Sequence, residues 1–292
     1  MRPFVFVGGG LGDVARRLYV TNTYDVLENR QETIHVCCFS HNPAALEFFR
    51  FHPSHRHIVL YDMGHLYMNL LHDKSVDRKE INRTIFAQCG LVNSEQLTKN
   101  HDPKPRRFFH APDHIKDAKG HIVLHPFARG WRDWPENICD ILRAALQDVP
   151  SSVPVYVISA DYVSTDGRTK IESFPCKLPN VRLLKNLSAP AAFTLVANAS
   201  RFVGTMSALA QVAAFEQVPS MVLHPAKCTD FLPPYSNYSK TIWNGNGVGI
   251  PFDKIAPEVL EKSLRRFLAE PHLPFVTREE FDEVAPVPSY EK

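Results

Sequence analysis

Short apolar runs alternate with longer stretches that carry apolar residues at helical spacing, almost from one end of the chain to the other. Few folds accommodate that alternation. "PFVFV" (3–7), "TIHVCCF" (33–39) and "HRHIVLY" (55–61) read as strands, with helices predicted over 12–29, 43–51 and 77–89. Strands separated by helices pair in parallel, because each crossover helix carries the chain back to the same end of the sheet. The pattern stops at 99–119, "KNHDPKPRRFFHAPDHIKDAK", a basic, proline-bearing stretch without periodicity that reads as an interdomain linker or an irregular surface loop. It resumes with strands at 121–126, 153–159, 181–185, 201–204 and 220–224, and with helices starting at Pro135 and spanning 189–199, 206–217 and 256–269. At 292 residues, 44% of them hydrophobic, the chain is long enough for two modest cores. The expected organisation is two α/β domains, 1–115 and 116–292, facing each other across a cleft, the second ending in a helix and a proline-rich tail.

Composition excludes some partners and favours one compartment. With 33 basic against 31 acidic residues, bulk charge draws the protein neither to nucleic acid nor to a membrane, so any basic face has to be local. Six cysteines without a CxxC, and an N-terminal "MRPFVFVGGG" unlike a secretory leader, predict reduced thiols and a cytoplasmic address. No apolar run approaches the roughly 18 residues of a membrane span, which leaves peripheral contact as the membrane role open to the chain.

Open parallel sheets bind ligands beyond the carboxyl ends of their strands, so the loops after strands carry the functional information. After the first strand, Gly9, Gly10, Leu11 and Gly12 lead into Asp13. A dinucleotide fingerprint needs glycine where Asp13 stands and an acidic residue closing the second strand, which here ends "CCFS"; a Walker A loop needs Gly-Lys-Ser/Thr, which the chain lacks. A carboxylate at a helix N-terminus would also repel the phosphate that the helix dipole attracts. Asp13 therefore has two readings: an acid favoured by the helix dipole, or a carboxylate that the glycines leave uncrowded for proton transfer.

After the resumed strand comes "LHPFARGWRDWP". Arg129 and Arg132 offer permanent charge and paired donors to a diphosphate, while the same segment also reads as a solvated loop with Trp131 and Trp134 as lids on the core. His125, at the strand end, is the histidine best placed to touch a ligand. "HPSHRH" (52–57) brings no cysteine or carboxylate to complete a zinc site, so no metal is expected. In "RFVGTMSALAQVAAF", a helix beginning at Met206–Ser207 would aim its free N–H groups at an anion, or would be an ordinary buried helix of small residues.

In this order and spacing, "GGLGDV", "LHPFARGWRDWP", "KNLSAPAAFTLVANASRFVGTMSALAQVAAF" and "VPSMVLH" resemble the family-9 glycosyltransferases, whose best-known members are heptosyltransferases. The resemblance covers most of the chain and is strongest in its second half. It implies a GT-B architecture of two Rossmann-like domains, acceptor bound by the first and nucleotide-diphosphate sugar by the second, with no metal or other cofactor. It implies that Asp13 is the general base, that Arg132 contacts the donor diphosphate, and that Asn186, Leu187 and Ser188 lie near the donor base. The turn at Thr205 departs from the family. Met206, Ser207 and Ala208 stand where Asp-Ser/Thr-Gly is typical, and Gln211 stands where a histidine is. The departure removes the Asp's sugar contacts, which argues against an ADP-heptose donor, but leaves backbone phosphate binding intact.

The mechanism implied is one inverting displacement: Asp13 takes a proton from an acceptor hydroxyl, while Arg129, Arg132 and the N–H groups at 205–208 stabilise the leaving diphosphate. The chain contains no Asp-x-Asp for a metal on that diphosphate. A glycan or glycolipid is the first-choice acceptor. Two alternatives stand beside it: a nucleic-acid base, as in hydroxymethylated DNA, held by "KPRRFF", and a non-catalytic module that binds sugar nucleotides or glycans.

Overall fold

The structure is a computed structural model that describes residues 3–8, 12, 33–39, 46, 58–73, 75–92, 95–96, 120–127, 134–163, 169–170, 173–216, 218–226 and 247–269. Apart from Gly12 and Leu46, both helical, the helices expected over 12–29 and 43–51 lie outside the described residues, as do the linker 99–119 and the tail. The chain forms two compact units, Met1–Phe108 and Phe109–Lys292.

In the first unit, β1 (Pro3–Gly8), β2 (Ile34–Phe39), β3 (Ile58–Asp62) and the two-residue β4 (Glu95–Gln96) form a parallel sheet in the order β3-β2-β1-β4. Two helices follow β3, α1 (Gly64–His72) and α2 (Arg78–Gln88). The start of α2 is fixed locally. The Asp77 carboxylate accepts from Lys79 N at 2.9 Å, a cap that stabilises by about 1 kcal/mol. Its end is fixed by Gly90, whose φ of 66° admits two closing bonds, Gly90 N to Ala87 O (3.0 Å) and Leu91 N to Phe86 O (2.8 Å). Ile81 and Ile85, one turn apart, bury the helix against Phe4, Cys37, Cys89 and Leu91. Burial pushes the Cys37 thiol far up, with Cys89 Sγ only 3.6 Å away, so neither sulfur is a ready nucleophile.

The second unit carries the larger sheet, whose six strands are all parallel. In chain order they are β5 (Ile122–His125), β6 (Val155–Ser159), β9 (Val181–Lys185), β10 (Arg201–Gly204), β11 (Ser220–His224) and β12 (Gly247–Pro251), while β7 (Tyr162–Val163) and β8 (Thr169–Lys170) make a separate antiparallel ribbon. The spatial order is β12-β11-β10-β5-β6-β9. Counted within the sheet that is 6-5-4-1-2-3, the doubly wound order of a dinucleotide-binding domain.

Helices α3 (Glu136–Leu146) and α6 (Pro257–Ala269) pack together against one face of this sheet. The apolar residues expected at helical spacing do that work: Ile138, Leu142, Ala145 and Leu146 from α3, with Leu260, Leu264, Phe267 and Leu268 from α6. Each large side chain so buried contributes about 1.5–3 kcal/mol. Helices α4 (Ala189–Ala197) and α5 (Ala208–Phe215) also pack on each other. Ala210 and Ala213 are fully buried, and side chains this small let α5 approach β10 and β11 closely.

Candidate functional site

A sheet wound in this order opens a crevice where the chain direction reverses, between its first and fourth strands. Here those are β5 and β10, paired from Arg201↔Ile122 up to Gly204↔His125. One further bond, Thr205 N to His125 O at 2.9 Å, ends the pairing. Gly204 has no room for a side chain: a Cβ there would lie 2.4 Å from the Phe202 ring and 3.2 Å from His125 O.

Beyond that point the chain turns into α5. Ser207 is extended (φ −148°) and its hydroxyl accepts from Ala210 N at 3.4 Å, so the helix begins at Ala208 rather than at Met206–Ser207 as expected. The reason is the cap itself, since a serine outside the helix satisfies a donor that a serine inside it could not. Gln211 N takes Ser207 O. Among the described residues the N–H groups of Ala208 and Leu209 have no hydrogen-bond partner, and they lie at the positive end of the helix dipole. The Ser207 hydroxyl is also hydrogen-bonded to His125 Nδ1 at 3.0 Å. Thus His125, Thr205, Ser207 and Ala208 meet in one corner, with Gln211 one turn below. Met206 is buried there at 2% exposure.

Asn186, Leu187 and Ser188 form a second cluster, at the end of β9. Asn186 takes a φ of 55°, a left-handed conformation that asparagine tolerates better than most residues. Its backbone N donates to Ser159 O (3.0 Å), its Oδ1 accepts from Asp161 N (2.9 Å) and its Nδ2 donates to Asp161 Oδ2 (3.3 Å), which ties the loops after β6 and β9 together. Ser188 caps α4 by accepting from Ala191 N. β9 lies two strands from β5, about 10 Å in the plane of the sheet. Sequence reasoning missed Asp161, and nothing in "SADYVST" signals it.

No protein-family model matches the sequence, and no curated protein sequence does. Solved structures do match. The E. coli heptosyltransferase WaaC with ADP superposes at a TM-score of 0.57 over 93% of this chain and 100% of its own, at 11% identity. E. coli ADP-heptose lps heptosyltransferase II gives 0.55 over 92% and 98%, at 16% identity. A family 9 glycosyl transferase from Veillonella parvula DSM 2008 gives 0.54 over 98% and 96%, at 10% identity. The fold is that of the heptosyltransferases.

Within this heptosyltransferase fold the expected site residues divide into two groups. His125, Asn186, Leu187, Ser188, Thr205, Met206, Ser207, Ala208 and Gln211 are all described, at the carboxyl ends of β5, β9 and β10 or in the helix that follows. Gly12 is helical, and Asp13, Gly9, Gly10, Leu11, Arg129 and Arg132 lie outside the described residues. Trp134 belongs to the core: it is 6% exposed and its Nε1 donates to Leu223 O at 3.1 Å. His224, at the end of β11, is fully buried with Nδ1 on Pro225 O at 2.9 Å. No cluster of metal-ligating side chains occurs among the described residues, and none of their helices is long and apolar enough to cross a membrane.

Burial pushes the His125 imidazole down to about 4, so this ring is neutral at neutral pH. His224 is also held at about 4 by burial, against smaller upward pulls from Pro225 O and Asp253. In the unfolded chain both rings take a proton near pH 6.5, in the folded protein only near 4. Stability is therefore full above about pH 6.5 and falls as the pH drops toward 4, by roughly 3 kcal/mol per histidine. Urea midpoints measured from pH 7.5 to 4.5 are expected to fall through this window, and less steeply in a His224→Leu variant. A flat wild-type profile would contradict neutral, desolvated rings.

Proposed function

We propose that the protein is a family-9-like glycosyltransferase that moves a sugar from a nucleotide-diphosphate sugar to an acceptor hydroxyl. The observation that carries the reading is the corner between β5 and β10, where the free N–H groups of α5 meet His125 and Ser207 at the switch point of a 6-5-4-1-2-3 sheet. Such a corner binds a diphosphate through backbone dipoles. The heptosyltransferase whose fold the chain shares was solved with ADP. Arg129 and Arg132, which follow β5 in the sequence, supply the positive charge that neutralises the leaving diphosphate without a metal. Asn186 and the loop it holds to Asp161 frame the nucleoside.

In this reading the first unit binds the acceptor, a glycan or glycolipid. Asp13 removes the acceptor proton, the acceptor oxygen attacks the anomeric carbon from the side opposite the diphosphate, and configuration inverts. The reaction takes place in the cytoplasm, where nucleotide sugars serve as donors.

The test is a thermal-shift panel of UDP, GDP, ADP, CMP and TDP compounds and their sugar conjugates. A ligand at 100 times its Kd stabilises the fold by about 2.7 kcal/mol, a rise in Tm of several degrees. At least one nucleotide series is expected to produce it. No shift with any of them would remove the transferase reading.

A further inference from the structure

Cys37 and Cys89 stand 52 positions apart in the sequence, yet their sulfurs touch at 3.6 Å inside the first unit. Side-chain alternation along β2 sets this up. Cys37 lies on the face that α2 covers, in one cluster with Ile81, Ile85 and Cys89, whereas its neighbour Cys38 belongs to the opposite face. The two thiols differ in how they can be reached. Cys37 is fully buried in the middle of the sheet, its strand flanked by Phe6 of β1 and Tyr61 of β3. Cys89 closes α2: its backbone N donates to Ile85 O at 3.1 Å, and Ala87, Gln88 and Gly90 beside it are exposed although its own side chain is only 5% so. A helix end opens on its own, whereas the centre of a sheet does not.

We infer that Cys37 and Cys89 are a redox modification site, a thiol pair that a peroxide converts into a reversible disulfide joining β2 to α2. Cys89 reacts first, when the last turn of α2 opens. Its thiolate attacks one oxygen of hydrogen peroxide, the O–O bond breaks, and the displaced hydroxide takes up a proton and leaves as water, with a sulfenic acid on Cys89. As the turn closes, the Cys37 sulfur attacks the Cys89 sulfur. The S–S bond forms, the S–O bond breaks, and the departing hydroxide carries off the Cys37 proton as a second water. Two thiols have given up two electrons and the peroxide has gained them. Burial holds both thiols above their ordinary range, so the rate follows the opening of the helix end. Once formed, the bond braces α2 against the sheet and closes a loop that contains β3 and α1.

The test treats the full chain with hydrogen peroxide under native conditions, alkylates the remaining thiols, and maps disulfides by mass spectrometry with and without dithiothreitol, fragmentation separating Cys37 from Cys38. A Cys37–Cys89 cross-link that dithiothreitol removes is expected. Hydrogen exchange over 78–88 is expected to slow at least about 10-fold in the oxidised protein and to recover on reduction. Absence of the cross-link, a bond from Cys89 to any other cysteine, formation only in urea-unfolded chain, or exchange that is unchanged or faster would overturn the assignment.

Discussion

Asp13→Ala is expected to lower turnover roughly 10²–10⁴-fold, the range that a positioned general base contributes, while leaving the affinity for free nucleotide diphosphate within about 2-fold. The split follows from the division of labour proposed here, since Asp13 acts on the acceptor while the diphosphate is held at the β5–β10 corner. The rival role of Asp13, an acid favoured at a helix N-terminus, has a different signature. Its loss would cost about 1 kcal/mol of stability and leave kcat untouched. Asp13→Asn separates the two, because asparagine still caps a helix but takes no proton at neutral pH. An Asn variant with wild-type turnover would leave Asp13 without a catalytic role.

Trp134→Ala is expected to destabilise the second unit by about 3–5 kcal/mol, read from urea denaturation. Trp134 packs in the same cluster as Phe127, Ile138 and Leu223, and its indole N–H satisfies Leu223 O in the middle of a buried sheet. Trp134→Phe keeps most of the apolar contact and strands that carbonyl, for a loss of about 1–3 kcal/mol. The ordering Ala worse than Phe, and Phe worse than wild type, is the outcome to look for. Equal loss in both variants would mean that the hydrogen bond alone matters, and a loss under about 1 kcal/mol in Ala would contradict the burial. The tryptophan also fixes where the chain re-enters the core before α3. A variant without it is therefore expected to lose nucleotide affinity as well as stability.

The alternation of strands and helices was legible because it is a local signal. Asp77 before "RKEINRTIF" and Ser188 before "APAAF" each cap the helix that the periodicity predicts. What escaped the sequence reading was settled by neighbours in space. β12, "GVGIP", holds two glycines and a proline and has little strand propensity of its own, yet it pairs with β11 along its whole length at the sheet edge, where a terminal proline is tolerated. β4 and β7 have two residues each, too few for any period. α1 opens at Met63 without a side-chain cap, so no start signal marks it. The linker expectation over 99–119 rested on composition, and those residues lie outside the described ones.

The candidate site divides in the same way. "TMSALAQ" announced a helix start, but only the bond pattern shows that Ser207 is the cap. That His125 belongs to the same corner depends on strand order, and no window of sequence contains both residues.

The same strand order has a consequence for how the protein comes to work. His125 and Ser207 touch across 82 positions, and the strands that carry them arrive from opposite halves of the sheet: β5, β6 and β9 on one side of the seam, β10, β11 and β12 on the other. Joining the two halves must overcome the entropy of closing a long loop. Neither half holds a complete corner. In the function proposed here, the donor site is complete only once the seam is closed, and a nucleotide bound there would act as a clasp on the two halves.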